Sequence, residues 1–137
     1  MESTQYLSVA DVVAVHERIM RKLGDEARPL RDPGLLESAV TRPRMAAWYE
    51  DADLIRQAAL LGVGVSQAQA FLDGNKRTAY LAMVTFLELN GLIYTGDHIA
   101  LANQFEQVAE RSTDAATATD AFEAWLRDRV RPRSVDS

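Results

Sequence analysis

The segment between Asn75 and Gly91 constrains the fold more than any other part of the chain. Drawn as a helix, it is apolar around most of its circumference, and Asn90-Gly91 is a favourable helix end. A helix that is apolar on nearly all sides is usually buried among other elements. The sequence therefore predicts a helical domain built around this segment, whose apolar residues are Ala79, Tyr80, Leu81, Ala82, Met83, Val84, Phe86, Leu87 and Leu89.

Helical spacing of apolar residues predicts five further helices. Ser8 and Asp11 match a capping box, after which a first helix ends near Gly24. Asp32-Pro33 begins a second helix, which Arg42-Pro43 is expected to stop. The remaining expectations are a segment without a clear period at 44–52, a third helix at about 53–69, a short extended piece at 92–95, and helices at about 98–111 and 119–130.

Chain length and composition fit a single domain. The 137 residues have a mass of 15.2 kDa, and a fold of this size buries about two-thirds of the surface of the extended chain. With 47% hydrophobic and 26% charged residues, the chain has the composition of a globular protein. We therefore predict an all-α, compact bundle of about six helices. One domain would span residues 1–137, with a core at about 6–130 and a frayed polar tail at 131–137.

Charge and cysteine content exclude several classes of function. The net charge of -5 argues against a protein that coats nucleic acid, and Lys76-Arg77 is too small a basic patch for a DNA-binding helical domain. The absence of cysteine excludes a disulfide framework, a thiolate nucleophile and a Cys-ligated zinc site. No secretory signal or apolar run of membrane-spanning length is visible, so a soluble cytoplasmic protein is expected.

The loop that follows Gln69 joins the third and fourth predicted helices and breaks a local rule. Asp73-Gly74 is a tight-turn pair, and Lys76 and Arg77 come next, in the first turn of the fourth helix. Cations are unfavourable there, because a helix N-terminus already has unpaired N–H groups and the positive end of the helix dipole. A phosphate bound at this end would offset the loss. The ordinary interpretation is a helix, a turn and a helix without a ligand.

Several side chains near this loop have alternative interpretations. Asp73 can hold Mg²⁺ beside a phosphate, accept a proton, or act only as a turn residue or helix cap. Asn75 adds a neutral donor and acceptor, and Phe71 is expected to insert into the core. His16 lies in the apolar stripe of the first helix and is expected to be a packed, hydrogen-bonded core residue. His98 is expected at the surface, and neither histidine is assigned to the site.

The range Gln69–Arg77 resembles the signature of the Fic/Doc family, His-x-Phe-x-(Asp/Glu)-Gly-Asn-(Gly/Lys)-Arg, at every position except the first. Lys76 is typical of the death-on-curing (Doc) branch, since adenylylating members have glycine there. The segments Leu35–Ala39 and Phe86–Gly91 resemble the second helix and the end of the central helix of that branch. The resemblance covers about residues 6–130.

This resemblance implies a helical bundle with the signature loop between two central helices. Doc proteins are toxins of toxin–antitoxin pairs that use ATP and Mg²⁺ to phosphorylate a threonine of elongation factor Tu, which arrests translation. The resemblance thus implies a cognate antitoxin, and a flap at about 44–54 that positions the target peptide. Carried onto this sequence, the resemblance implies that the general base stands at position 69 and that Asp73 binds Mg²⁺. It implies that the phosphates are held by Gly74, Asn75, Lys76 and Arg77. The implied catalytic residues are Gln69, Asp73, Lys76 and Arg77.

Gln69 stands where the family signature has histidine. Imidazole titrates near neutrality and can accept a proton, whereas a carboxamide has no usable basicity but can still form hydrogen bonds. Three explanations stay open: an engineered substitution that lets a toxic protein be produced, a natural variant without catalysis, or a base supplied by another group. The resemblance, together with Gln69, implies an impaired Doc-like phosphotransferase. The alternatives are a Fic-type transferase of AMP and a catalytically silent protein that binds a nucleotide or an antitoxin.

Overall fold

Six helices and a two-stranded antiparallel sheet form the parts of the protein that a computed structural model describes, residues 3–26, 30–110 and 115–133. The all-α class and the six helices are thus confirmed, with a small sheet added. No helix in these ranges is long and apolar enough to cross a membrane. The elements are α1 Val9–Lys22, α2 Pro33–Glu50, α3 Leu54–Ala68, α4 Asn75–Leu89, β1 Leu92–Tyr94, α5 His98–Glu110, α6 Ala115–Arg127 and β2 Val130–Pro132.

Helix α4 lies at the centre of the fold, as its sequence predicts. It packs against α1, α3, α5 and β1, and its bounds agree with the expected start near Asn75 and end at Asn90-Gly91. The core formed around it includes the rings of Phe86 and Phe105, which are completely buried. The N-terminus of α4 is therefore held in place from several sides.

Side chains cap the N-termini of α1 and α3, and both helices begin where the sequence predicts. Ser8 and Asp11 form the predicted capping box at α1, with the Asp11 amide donating to Ser8 Oγ over 3.1 Å. Asp53 caps α3 by accepting a hydrogen bond from the Arg56 amide over 2.9 Å. The sequence signals for where these two helices begin are thus confirmed.

Helix α2 does not stop at Pro43, so that prediction was wrong. The helix continues to Glu50 and includes most of the segment for which the sequence gave no clear period. A proline inside a helix costs about 3 kcal/mol, because it removes one N–H donor and crowds the preceding turn. Tertiary packing offsets this cost: Pro43 is buried with Ala39 on the face toward α3, where a Cβ added at Gly64 would lie 3.3 Å from Ala39 Cβ.

The C-terminal part of the chain is more ordered than predicted. Residues 131–133 were expected in a frayed tail, but Val130–Pro132 pairs with β1, which itself confirms the expected extended piece. Helix α6 spans Ala115–Arg127, so it begins and ends earlier than the predicted range of about 119–130. Arg133 extends the pairing by donating its amide to the Gly91 carbonyl over 2.7 Å. Residues 134–137 of the predicted tail and the predicted last residue of α5, at 111, lie outside the described residues.

Ion pairs fasten α6 to the start of α3. Arg127 donates to both carboxylate oxygens of Asp53, over 2.8 and 3.2 Å, and Arg56 donates to Glu123 over 2.7 Å. The hydrogen bonds from Arg127 hold the pKa of the Asp53 carboxyl below its usual range, while those to Asp53 and Glu123 raise the pKa of Arg127. Helix α3, which ends at the signature loop, is thus anchored at its opposite end.

Candidate active site

The loop between α3 and α4 turns through two residues in the left-handed region. Gln69 ends α3 at φ 50°, ψ 37°, and Gly74 begins α4 at φ 81°, ψ 15°. Glycine adopts this conformation without a steric penalty, so the predicted Asp73-Gly74 turn has a physical basis. Between the two turns, Phe71 is 2% exposed and inserts into the core, as predicted, while Leu72 faces solvent.

The Asn75 side chain stabilises the loop through hydrogen bonds with the loop backbone. Its Oδ1 accepts a hydrogen bond from the Phe71 amide over 3.1 Å, and its Nδ2 donates to the Phe71 carbonyl over 2.8 Å. Both functions of the side-chain amide are therefore used on the backbone of the loop. Asn75 was predicted as a phosphate ligand; its backbone N–H and the second hydrogen of Nδ2 are the donors left for that role.

The N-terminus of α4 has no side chain that caps it. Gly74 is the N-cap residue and offers no acceptor, whereas Ser8, Asp32 and Asp53 each cap their own helix. The first turn of α4 also contains no acidic residue. The helix's own first turn thus supplies no negative charge to the positive end of the dipole, and beside it Asp73 Oδ1 accepts a hydrogen bond from the Gly74 amide over 2.9 Å. The amides of the first turn have no capping side chain, a situation that favours an anion.

The two cations in the first turn of α4 differ in whether another side chain already binds them. Both Lys76 and Arg77 are exposed. Lys76 Nζ forms an ion pair with Glu106 of α5. Arg77 has no ion-pair or hydrogen-bond partner within the described ranges. Arg77 is therefore free to contact a ligand, while Lys76 would have to share or leave its carboxylate.

One cavity contains all six residues that the sequence places in the site. It has a volume of about 520 Å³ and lies at the N-terminus of α4. A cleft of about 380 Å³ between α4 and α5 adjoins it, since Lys76 and Arg77 line both. We call the first cavity the signature cavity; it is lined by Met20, Leu23, Gln69, Leu72, Asp73, Gly74, Asn75, Lys76 and Arg77.

Gln69 is held by one hydrogen bond of its side-chain amide and one of its backbone carbonyl. Its side-chain Nε2 donates to the Ser66 backbone carbonyl over 3.2 Å, and the Gln69 backbone carbonyl accepts a hydrogen bond from Arg31 Nη2 over 2.7 Å. The Arg31 amide also donates to the Ala70 carbonyl over 2.7 Å. Sequence reasoning missed Arg31, which ties the segment before α2 to the start of the loop. No basic atom is contributed by position 69.

His16 lies against the signature loop, a position that sequence reasoning missed. It is 3% exposed, as expected for a packed core residue, and its ring stacks on Phe71 with centroids 3.8 Å apart. Its Nε2 donates to the Asp73 carbonyl over 2.9 Å. No local pattern joins positions so far apart in the sequence. His98 is exposed at the start of α5, as predicted, and there contacts Tyr80.

The donor set fits a nucleotide phosphate accompanied by Mg²⁺. The uncapped amides and Arg77 would hold phosphate oxygens, and the exposed Asp73 carboxylate lies in the same cavity. The described ranges contain no group of three or more histidine or acidic side chains that could form a metal cage by themselves. Mg²⁺ typically takes one or two carboxylates together with phosphate oxygens, so Asp73 is a chemically suitable ligand for it.

Comparison with known proteins identifies the family. The model of the Fic/DOC family matches residues 6–87, a range that contains α1 to α3, the signature loop and most of α4. The chain belongs to the Fic/Doc family. It is also 38% identical over 96 residues to Toxin Doc from Mycolicibacterium smegmatis (strain ATCC 700084 / mc(2)155), an alignment that covers 69% of this chain and 71% of that protein. The family match ends before α5, short of the range to about residue 130 expected from the sequence.

Proposed function

We propose that the chain is the Doc-like toxin of a toxin–antitoxin module, with the machinery of an ATP- and Mg²⁺-dependent phosphotransferase. Its target would be a hydroxyl of a translation protein, with elongation factor Tu expected from the family. Membership of the Fic/Doc family and the 38% identity to Toxin Doc support the class of protein. With Gln69 at the position of the general base, we expect transfer to be impaired.

The signature cavity is the observation that carries this proposal. A carboxylate, a free guanidinium and an uncapped helix N-terminus meet there, a set of groups that suits phosphate and Mg²⁺. Lys76 and Arg77 would bind the phosphates together with the backbone of Gly74 and Asn75. When bound, Mg²⁺ at Asp73 would offset the negative charge of the phosphate oxygens.

Position 69 decides whether the site can transfer as well as bind. A target hydroxyl must lose its proton as it attacks, and a positioned base contributes about 10²–10⁴-fold to such a rate. Gln69 can donate or accept a hydrogen bond but cannot accept that proton at neutral pH. Its amide already donates to the Ser66 carbonyl. We therefore expect the chain to bind ATP and Mg²⁺ while transferring slowly.

The same contacts favour a second candidate function, a catalytically silent protein that works by binding. On this view the chain engages a nucleotide or a cognate antitoxin without modifying a target. The observation in its favour is that position 69 supplies no base, although Asp73, Lys76 and Arg77 line the same cavity. Restoring histidine distinguishes the two functions, because a silent protein would gain no transferase activity from it.

The experiment compares the wild-type chain with Gln69→His, each incubated with ATP, Mg²⁺ and elongation factor Tu. The phosphotransferase proposal predicts that Gln69→His labels the factor at least about 10²-fold faster than wild type and arrests growth when expressed. Gln69→Asn is the matched control, since it changes the residue without adding a base. No label and normal growth with Gln69→His would refute the phosphotransferase.

Mass spectrometry of the modified target identifies the group transferred. An added phosphate agrees with the Doc-type reaction, whereas an added nucleotide would assign the alternative, a Fic-type transferase of AMP. The partner is tested by co-purification with the product of a short neighbouring reading frame. Tight complex formation without any transfer by Gln69→His would favour the silent, antitoxin-binding function.

A further inference from the structure

We propose that His16 is a positioning residue that orients the Asp73–Gly74 peptide for anion binding. This inference rests on the proposed function, because it concerns the phosphate site at the N-terminus of α4. His16 belongs to α1, 57 positions before the carbonyl that it contacts. It is 3% exposed and has no other role assigned to it in the site.

The contact itself fixes which ring nitrogen carries a hydrogen. A carbonyl oxygen can only accept, so His16 Nε2 must donate in its 2.9 Å contact with the Asp73 oxygen. The ring cannot easily rotate away from this contact, since it stacks on Phe71 with an angle of 11° between the planes. The Phe71 backbone is held by two hydrogen bonds with the Asn75 side chain, and its ring is buried in the core. The donor is thus held rigidly against the loop.

Pinning the carbonyl also determines the direction of the next amide. The Asp73 C=O and the Gly74 N–H belong to one planar trans peptide and point in opposite directions. Because His16 holds the oxygen on the α1 side, the Gly74 N–H points away from α1. Gly74 has unusual rotational freedom in its backbone, so a free peptide at this position would sample other orientations.

The surrounding cavities agree with a supporting role behind the loop. His16 lines a neighbouring cavity of about 500 Å³ with Met20 and Asp73, and it is absent from the lining of the signature cavity. Gly74 lines the signature cavity, and its N–H donates to Asp73 Oδ1 over 2.9 Å. A bound anion would take this N–H in place of the Asp73 carboxylate. His16 therefore acts on a bound anion through the peptide, without touching the anion itself.

Two substitutions separate the hydrogen bond from the ring. His16→Phe keeps a planar ring to stack on Phe71 but has no donor, whereas His16→Gln keeps an N–H donor at similar reach and loses the ring. Val12→Ala is the matched control, because Val12 is fully buried one turn earlier on α1 and its truncation loosens that helix without removing the contact.

The readouts are the Asp73 carbonyl ¹³C resonance and the affinity for ATP with Mg²⁺, alongside the melting temperature. We expect His16→Phe to shift the resonance and to weaken ATP binding about fivefold, the effect of one neutral hydrogen bond. His16→Gln should restore the resonance and most of the affinity, and Val12→Ala should change neither at a comparable loss of melting temperature.

The positioning role is overturned if His16→Phe leaves both the resonance and the affinity unchanged, or if Val12→Ala reproduces its effects. Failure of the proposed function has a different signature, namely that the wild-type chain does not bind ATP with Mg²⁺ at all. In that case the carbonyl resonance of His16→Phe, compared with that of His16→Gln, still decides whether His16 orients the peptide.

Discussion

Replacing the two left-handed glycines that flank α4 separates the stability of this helix from its role in the site. Gly74 precedes the helix at φ 81° and Gly91 follows it at φ 82°. An alanine with left-handed backbone angles has its Cβ too close to the following carbonyl oxygen, wherever in the fold it lies. Only Gly74, however, lines the signature cavity. Gly74→Ala and Gly91→Ala therefore form a matched pair.

The expected loss of stability is similar for the two variants. A Cβ added at Gly74 would lie 3.4 Å from Met20 Sδ and 3.5 Å from His16 Cδ2, which is ordinary van der Waals contact. At Gly91 nothing lies within 4 Å. The backbone strain therefore dominates in both, and the free energy of unfolding should fall by about 1–2 kcal/mol. For a chain of this length that corresponds to about 3–8 °C in melting temperature.

Thermal melts and calorimetric titration with ATP and Mg²⁺ measure the two effects separately. Gly74→Ala should lose affinity for ATP because its strained backbone turns the first amides of α4 away from the phosphates. Gly91→Ala should bind as wild type does despite its lower melting temperature. The reasoning is refuted if Gly74→Ala binds ATP as tightly as Gly91→Ala, since the turn would then have no part in the site.

Three further predictions concern stability, pH and affinity. Thr78 Oγ1 is buried and has no hydrogen-bond partner among the described residues, so Thr78→Val should raise the free energy of unfolding by about 1 kcal/mol; a loss in urea denaturation would contradict this. Asp53→Ala removes the cap of α3 and the contacts to Arg127, and should cost about 1–2 kcal/mol near neutral pH. Because folding lowers the pKa of Asp53, its stabilising contribution is present above the unfolded-state pKa and is lost as the pH falls through the folded-state pKa. The free energies of unfolding of wild type and Asp53→Ala should therefore converge in acid. A difference between them that stays constant with pH would contradict this. Glu106→Gln frees Lys76 from its exposed ion pair and should strengthen ATP binding by up to about fivefold in a titration, and weaker binding would contradict the phosphate role of Lys76.

The sequence was sufficient for the features that depend on local chemistry. The capping box at Ser8, the start of α2 at Asp32-Pro33, the turn at Gly74 and the apolar circumference of α4 are each set by neighbouring residues, and each was confirmed. The grouping of the six predicted site residues in one cavity follows from the same logic, because they lie within nine positions on one loop and one helix turn.

The features that the sequence did not predict depend on contacts between distant segments. Pro43 stays inside α2 because the helix is held against α3, and local propensity contains no information on that packing. β2 forms only because β1 offers an edge to pair with, so Arg131 looked like part of a polar tail. His16 reaches Asp73 across the fold, and the Asn75 side chain forms hydrogen bonds with the Phe71 backbone. Each of these depends on tertiary structure.

The central claim is that the N-terminus of α4 binds the phosphates of a nucleotide with Mg²⁺. The most direct test is a titration of the ¹⁵N-labelled wild-type chain with ATP and Mg²⁺, monitored at the backbone amides. The account predicts saturable shifts at Asn75, Lys76 and Arg77, with the Mg²⁺ dependence lost in Asp73→Asn. The absence of saturable shifts, or shifts confined to residues away from 69–77, would contradict it.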